Sequence, residues 1–81
     1  SDTELSFDLF PNPTRDVLNI RMSETHEQVM LLDISGKQLR HYQPGDATQF
    51  SIHLSEYPGG TYLIGFVNGD KVKTERFVLQ R

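Results

Sequence analysis

Apolar and polar residues alternate in short runs along this chain, which is the pattern of β-strands that bury one face. The run at 48–54 is a clear example, because Phe50, Ile52 and Leu54 all fall on one side of it. The alternating runs are separated by clusters of turn-forming residues about every ten residues. No stretch of useful length repeats apolar residues at helical spacing. The pattern therefore predicts an all-β fold, an immunoglobulin-like antiparallel sandwich of about seven short strands.

The predicted strands each place alternate side chains toward a common core. We expect strands at 5–10, 17–22, 28–33, 37–42 and 48–54, and two more within 59–81. The side chains predicted to point inward are Leu18, Ile20, Met22, Val29, Leu31, Leu39, Phe50, Ile52, Leu54, Tyr62, Ile64 and Phe66. Met30 and Leu32 then face a rim or a partner. Together with a strand-rich edge, they would allow the isolated domain to form a homodimer or to swap strands in concentrated samples.

Residues 59–81 have the pattern of one long β-hairpin. Asn68-Gly69 is a strong hairpin signal, because both residues take positive φ at little steric cost. The return strand begins with charged residues and ends with Phe77-Val78-Leu79, close to the end of the chain. Chain ends fray unless they are held, so the apolar residues predict that this end is paired into a sheet.

Two turn motifs stand out between the strands. Proline lacks the ladder donor, so Pro11-Asn12-Pro13 should end the first strand. Gly36 should occupy a left-handed position in the turn after the third strand. The Asp33 carboxylate is expected to cap that turn by accepting backbone N–H bonds, with a calcium ligand as the alternative reading. Residues 1–4 have the composition of a linker remnant, with the domain at 5–81.

Composition and charge exclude several classes of function. The net charge is −3 and no basic stripe is present, which argues against nucleic-acid binding. No cysteine is available for a disulfide or a thiolate metal site. The longest apolar run, Val29 to Leu32, is far too short for a membrane-spanning helix.

We find no arrangement of side chains that indicates catalysis, a metal or a cofactor. His26, His41 and His53 lie on separate elements without ligand spacing, so they are expected to be exposed strand and loop histidines. No Gly-x-Ser-x-Gly motif is present. The three tyrosines could in principle stack on a sugar, but Tyr62 alternates with core residues and should bury its ring with its hydroxyl near a loop. Tyr57 should pack on the turn at Pro58, which leaves Tyr42 as the exposed tyrosine.

Several segments in a fixed order carry a family resemblance. The segments are Phe10-Pro11-Asn12-Pro13, Val17-Leu18-Asn19-Ile20, Val29 to Leu39 with Asp33-Ile34-Ser35-Gly36-Lys37, Leu54, Gly60-Thr61-Tyr62-Leu63-Ile64, and Arg76 to Arg81. In this order they resemble the type A C-terminal sorting domain of the type IX (Por) secretion system. The resemblance extends from Leu5 to Arg81. It departs at Glu75-Arg76-Phe77, where the family often has lysine before an aliphatic triplet; Arg76 keeps the basic residue, and Phe77 is bulkier than the usual isoleucine.

The resemblance implies a secretion signal and not an enzyme. Its partners would be the type IX translocon, outer-membrane shuttle components, a sortase-like cysteine protease and a cargo domain of the same chain. The cargo would pass through the periplasm to the outer membrane and cell surface, or be released, and cleavage would fall near or before residues 1–4. The alternatives are a carbohydrate-binding or adhesive sandwich appended to an exported hydrolase, and a passive spacer.

The last strand is the predicted recognition element. Its free N–H and C=O groups would suit strand addition by a partner, and its basic residues put positive charge along it. The turn-motif residues carried over from the family are Pro11, Asn12, Pro13, Asp33 and Gly36. The predicted recognition residues are Gly60, Tyr62, Lys73, Arg76, Phe77, Val78, Leu79 and Arg81.

Overall fold

Two antiparallel sheets face one another in the computed structural model, which describes residues 7–23 and 28–81. The strands are β1 Phe7–Phe10, β2 Val17–Met22, β3 Gln28–Asp33, β4 Gln38–Tyr42, β5 Gln49–His53, β6 Gly60–Asn68 and β7 Lys71–Leu79. One sheet has the strand order β1-β2-β5 and the other β4-β3-β6-β7. This arrangement confirms the predicted immunoglobulin-like sandwich. Within the described residues, no helix is present that could span a membrane.

The predicted strand boundaries agree with the structure to within a residue or two. The fourth strand begins one residue later than predicted, and the fifth lacks the predicted end residues Thr48 and Leu54. Leu5 and Ser6 of the first predicted strand lie outside the described residues. The same is true of residues 1–4, of the greater part of the loop between β2 and β3, and of His26 in it, so those expectations stay predictions.

The core lies between the inner faces of the two sheets. Its buried apolar side chains are Leu18, Ile20, Met22, Val29, Leu31, Ile52, Leu54, Tyr62, Ile64, Phe66, Phe77 and Leu79. The ring of Phe7 stacks on that of Phe66 with 3.8 Å between centroids, which joins the first strand to the opposite sheet. Leu39 and Phe50 are half-buried and pack against this core. Strand alternation thus identified the inward side chains of β2 to β6, whereas Phe77 and Leu79 were not assigned to the core in advance. Each buried side chain contributes about 1.5–3 kcal/mol.

Met30 and Leu32 lie on the outer face of the four-stranded sheet, as the alternation predicts. They flank Gly65 of β6, where a Cβ atom would lie 3.3 Å from both the Met30 Cε and the Leu32 Cδ1 atoms. Both side chains are half-buried, because the missing side chain at Gly65 lets them lie over β6. This outer face therefore carries apolar side chains at its centre.

The hairpin between β6 and β7 is present, but its loop is one residue later than predicted. Asn68 pairs with Lys71 as the last residue pair of the ladder, so the loop residues are Gly69 and Asp70. Gly69 has a φ of 66°, and no residue other than glycine has positive φ in the described chain. Asn68 stays extended because it belongs to the ladder, and glycine supplies the positive φ at the first loop position, as in type II′ turns.

Candidate functional site

The inner side chains of β7 belong to the hydrophobic core. β7 is an edge strand of the four-stranded sheet, and Phe77 lies opposite Tyr62 on β6. Phe77 and Leu79 are 0% and 1% exposed. The Tyr62 and Phe77 rings stack with 5.9 Å between centroids, and the Tyr62 hydroxyl donates to the Pro58 carbonyl at 2.6 Å. Three of the predicted recognition residues, Tyr62, Phe77 and Leu79, are therefore buried and present almost no side-chain surface to a partner.

The outer side chains of β7 form an exposed row, which we call the outer row. Its members are Val72, Thr74, Arg76 and Val78. Val72 is 65% exposed and Val78 is 41% exposed, so the row presents two aliphatic side chains to solvent. Beside the row on β6 lie Leu63 and Val67, both half-buried. The outer row thus extends an apolar sheet face and adds one positive charge, that of Arg76.

The backbone edge of β7 is closed at one end by the turn between β1 and β2. The Thr14 N–H donates to the Val78 carbonyl at 2.9 Å, and the Val78 N–H donates to the Asn12 Oδ1 atom at 3.1 Å. The Gln80 N–H donates to the Thr14 carbonyl at 2.7 Å. Thr14 is only 1% exposed, and its hydroxyl donates to the Val17 carbonyl. Pro11-Asn12-Pro13 therefore does more than end β1, because it brings this cover over the edge; both of its prolines follow cis peptide bonds.

The rest of the β7 edge is open within the described residues. Val78 points both backbone groups away from β6, and in an antiparallel strand every second residue points the same way. Val72, Thr74 and Arg76 must therefore also direct their N–H and C=O groups outward. No hydrogen bond from residues 7–23 or 28–81 reaches these groups. We call these three residues the open edge.

Arg81 forms a clamp between loops at one end of the sandwich. Its guanidinium group donates to the Tyr57 carbonyl from Nε at 3.1 Å and from Nη2 at 2.8 Å. It also donates to the Arg15 carbonyl at 3.1 Å and to the Leu54 carbonyl. A Cβ atom on Gly59 would lie 3.1 Å from the Arg81 Cγ, so the side chain packs directly on that glycine. The guanidinium group is thus engaged with backbone carbonyls, a role that strand alternation could not reveal.

Lys73 and Glu75 lie on the inner face of β7, next to β1. The Lys73 ammonium lies 5.1 Å from the centroid of the Phe7 ring. Glu75 lines an open groove of about 470 Å³ between β1 and β7. Across the groove, the Arg21 guanidinium pairs with the Asp8 carboxylate at 3.1 Å. The two β7 charges therefore lie on the same face of the strand, separated by Thr74.

The Asp33 carboxylate holds the turn between β3 and β4. Its Oδ1 atom accepts the Ser35 hydroxyl at 2.6 Å and the N–H groups of Ser35 and Lys37, both at 2.9 Å. These bonds, the Ser35 hydroxyl first, lower the pKa of Asp33. Gly36 has a φ of 92°, the left-handed geometry of this turn. Among the described residues, no group of three or more acidic, histidine or cysteine side chains could hold a metal ion.

The tyrosines do not form an exposed platform. Tyr42 is half-buried and packs against the core, with its ring centroid 6.3 Å from that of Phe50, so the prediction that Tyr42 is exposed was wrong. It lies opposite the inward residue Val29, which turns its ring inward. Tyr57 is also half-buried and meets the Tyr62 ring edge-on at 6.2 Å. His41 and His53 are exposed, as predicted.

Comparison with known families supplies the context for this surface. The family model described as "Secretion system C-terminal sorting domain" matches residues 8–80. The match includes the whole of β7 and all other strand residues except Phe7, the first residue of β1. A comparison with curated proteins finds no match.

Proposed function

This chain belongs to the secretion system C-terminal sorting domain family, and we propose that it directs an attached cargo protein through the outer-membrane translocon of the type IX system. Members of this family are sorting signals and not a class of enzyme, which gives a general role in export toward the outer membrane and cell surface. In our proposal the cargo waits in the periplasm, shuttle components and the translocon bind the folded domain, and a sortase-like cysteine protease separates the domain from its cargo.

We assign the first contact with the machinery to the outer row of β7. The observation that carries this proposal is the 41% exposure of Val78 between the buried side chains of Phe77 and Leu79. Val72 and Val78 continue the apolar face that carries Leu63 and Val67, and a contiguous apolar patch of this kind is typical of an interaction surface. Arg76 adds a charge that can bind a carboxylate. Lys73 and Gly60, two further exposed recognition residues, lie toward opposite ends of the same hairpin.

The buried recognition residues act in this proposal by positioning. Phe77 and Leu79 anchor alternate positions of β7, which fixes the direction of the side chains between and before them. Arg81 holds the loops beyond the strand. A deletion of residues 77–81 would remove core residues and the clamp together, so it would test folding and recognition at once.

The experiment that separates recognition from folding changes only exposed side chains. A cargo fused to this domain is expressed in a bacterium that carries the type IX system, as wild type and as the Arg76→Glu/Val78→Ser variant. The matched control is Lys37→Glu/Ile34→Ser, which makes the same change of charge and a slightly larger loss of apolar size on the turn after β3, where Ile34 is 62% exposed. Circular dichroism confirms that both purified domains fold.

We expect the outer-row variant to leave the cargo in the periplasm, while the control delivers it to the cell surface. Normal surface delivery by the folded outer-row variant would contradict recognition through this row. Equal loss in both variants would show that the machinery responds to the domain's general surface properties and would also contradict it.

A further inference from the structure

We propose that the open edge of β7 pairs with the open edge of a second copy of this chain, so that two four-stranded sheets join into one continuous sheet. Val72, Thr74 and Arg76 carry outward backbone groups with no hydrogen-bond partner in the described residues. Such a bare edge is a template for another strand. The segment is bounded by the Gly69-Asp70 loop on one side and by the Asn12–Val78 bond on the other.

Two copies of the open edge can pair about a two-fold axis at Thr74. In an antiparallel pair centred there, Thr74 exchanges hydrogen bonds with Thr74 of the second copy. Val72 then lies opposite Arg76 of the second copy, and Arg76 lies opposite Val72. Every outward group of Val72, Thr74 and Arg76 is used on both edges, and the paired segment ends before the loop and before the covered end at Val78. The long aliphatic stem of Arg76 can cover the exposed Val72 across the junction.

Charge complementarity selects this register and this occupant. With Thr74 at the centre, Lys73 lies opposite Glu75 of the second copy, and the reciprocal pair forms on the other side of the axis. Shifting the centre by one residue in either direction sets Lys73 against Lys73, or Glu75 against Glu75. Like charges directly opposite each other destabilise a sheet, whereas opposite charges stabilise it. Lys73 and Glu75 lie on the same face of β7, as this cross-strand pairing requires.

This inference does not rest on the proposed function, because it is argued from the backbone groups of the open edge and from the charges on the inner face of β7. Directly opposed residues of two paired strands point to the same face of a sheet. The two outer rows would therefore lie side by side on the same face of the continuous sheet, where a partner could still bind them.

Charge exchange tests the interface. Sedimentation equilibrium of the 81-residue chain at low salt, over about two orders of magnitude in concentration, should show a monomer–dimer equilibrium. Lys73→Glu and Glu75→Lys should each raise the dimer Kd by about tenfold or more, because two attractive pairs become repulsive. The exchanged double variant Lys73→Glu/Glu75→Lys should restore the wild-type Kd. An equimolar mixture of the two single variants should form heterodimers, which a folding defect could not produce.

Thr74→Pro tests the backbone bonds. The Thr74 N–H points outward, so proline removes a donor of the interface and leaves the bonds to β6 intact. We expect a folded monomer, with the fold checked by circular dichroism. A wild-type chain that stays monomeric throughout the concentration range would overturn the proposal. A dimer that is indifferent to the charge exchanges, or that persists in folded Thr74→Pro, would equally overturn it.

Discussion

The Arg81 guanidinium binds the Tyr57 carbonyl through two of its nitrogen atoms, at 3.1 Å and 2.8 Å. The same group reaches the carbonyls of Arg15 and Leu54, so a single side chain connects both loops that meet at this end of the sandwich. Arginine suits this task because its planar fork presents donors in several fixed directions. The position follows the last strand in sequence, yet it acts on the loops before β2 and β6.

Replacing Arg81 should therefore destabilise the fold. We expect Arg81→Ala to lower the free energy of unfolding by about 1–3 kcal/mol, since several charge-assisted hydrogen bonds to carbonyls are lost. Arg81→Lys should recover only part of this, because an ammonium group cannot reproduce the fork. The control is Arg76→Ala on the outer row, which should change stability by less than about 0.5 kcal/mol. Urea unfolding provides the measurement, and equal effects of Arg81→Ala and Arg76→Ala would contradict the clamp.

Asn12 should control access of solvent to the β7 edge at Val78. Asn12→Ala removes the acceptor of the Val78 N–H, so hydrogen exchange at the Val78 amide should become faster. Asn12→Asp retains an acceptor and should keep the amide protected. The Arg76 amide, which has no partner within the described chain, should exchange rapidly in all three proteins. Amide exchange followed by NMR is the measurement, and unchanged protection of Val78 in Asn12→Ala would show that this bond does not close the edge.

Neighbouring positions on β7 should respond very differently to truncation. Phe77→Ala empties a site that is 0% exposed and should cost about 3–5 kcal/mol, enough to unfold much of a small domain. Val78→Ala changes a side chain that is 41% exposed and should cost less than about 1 kcal/mol. Thermal unfolding followed by circular dichroism distinguishes the two. Similar costs at both positions would contradict the inward and outward alternation of the strand.

The turn at Asp33 should make stability depend on pH in the acid range. Its hydrogen bonds, chiefly that from the Ser35 hydroxyl, lower the folded-state pKa of Asp33 below the ordinary value of 3.8. The carboxylate therefore contributes stability that is fully present above 3.8 and is lost as the pH falls through the lower folded-state pKa.

Asp33→Asn keeps the hydrogen-bond acceptor but removes the charge. The wild type should be more stable than this variant near neutral pH, and the difference should shrink as the solution is acidified. Ser35→Ala removes the hydrogen bond that lowers the pKa of Asp33 most, so it should reduce the pH-dependent part of the free energy of unfolding. Urea unfolding at a series of pH values tests both. A difference that grows on acidification would have the wrong sign for this account.

Alternation predicted the sandwich and its core because burial on one face of a strand leaves a period of two in the sequence. Residues such as Leu18, Ile52 and Ile64 could be assigned to the core from that period alone. The hairpin was predicted from Asn68-Gly69, but its loop lies at Gly69-Asp70. Both placements give glycine a positive φ, so the local sequence does not distinguish them, and the register with β6 decides.

The features that define the β7 edge could not be predicted in the same way. The Asn12–Val78 bond joins residues that are 66 positions apart in the sequence. The Arg81–Tyr57 bond of the clamp joins residues that are 24 positions apart. They depend on which loops meet at one end of the sandwich, and no local period records that. The Tyr42 ring was expected in solvent for a similar reason, since its inward direction follows from its pairing with β3.

The alternation of buried and exposed side chains along β7 makes the outer row depend on folding. The outer row exists as a row only while Phe77 and Leu79 are seated in the core, so an unfolded chain has no such surface to offer. A translocon that binds this row would therefore select for the folded conformation of the sorting domain as well as for its sequence. If the machinery binds this row as proposed, selection of folded domains follows from the binding itself, because only the native state presents the row.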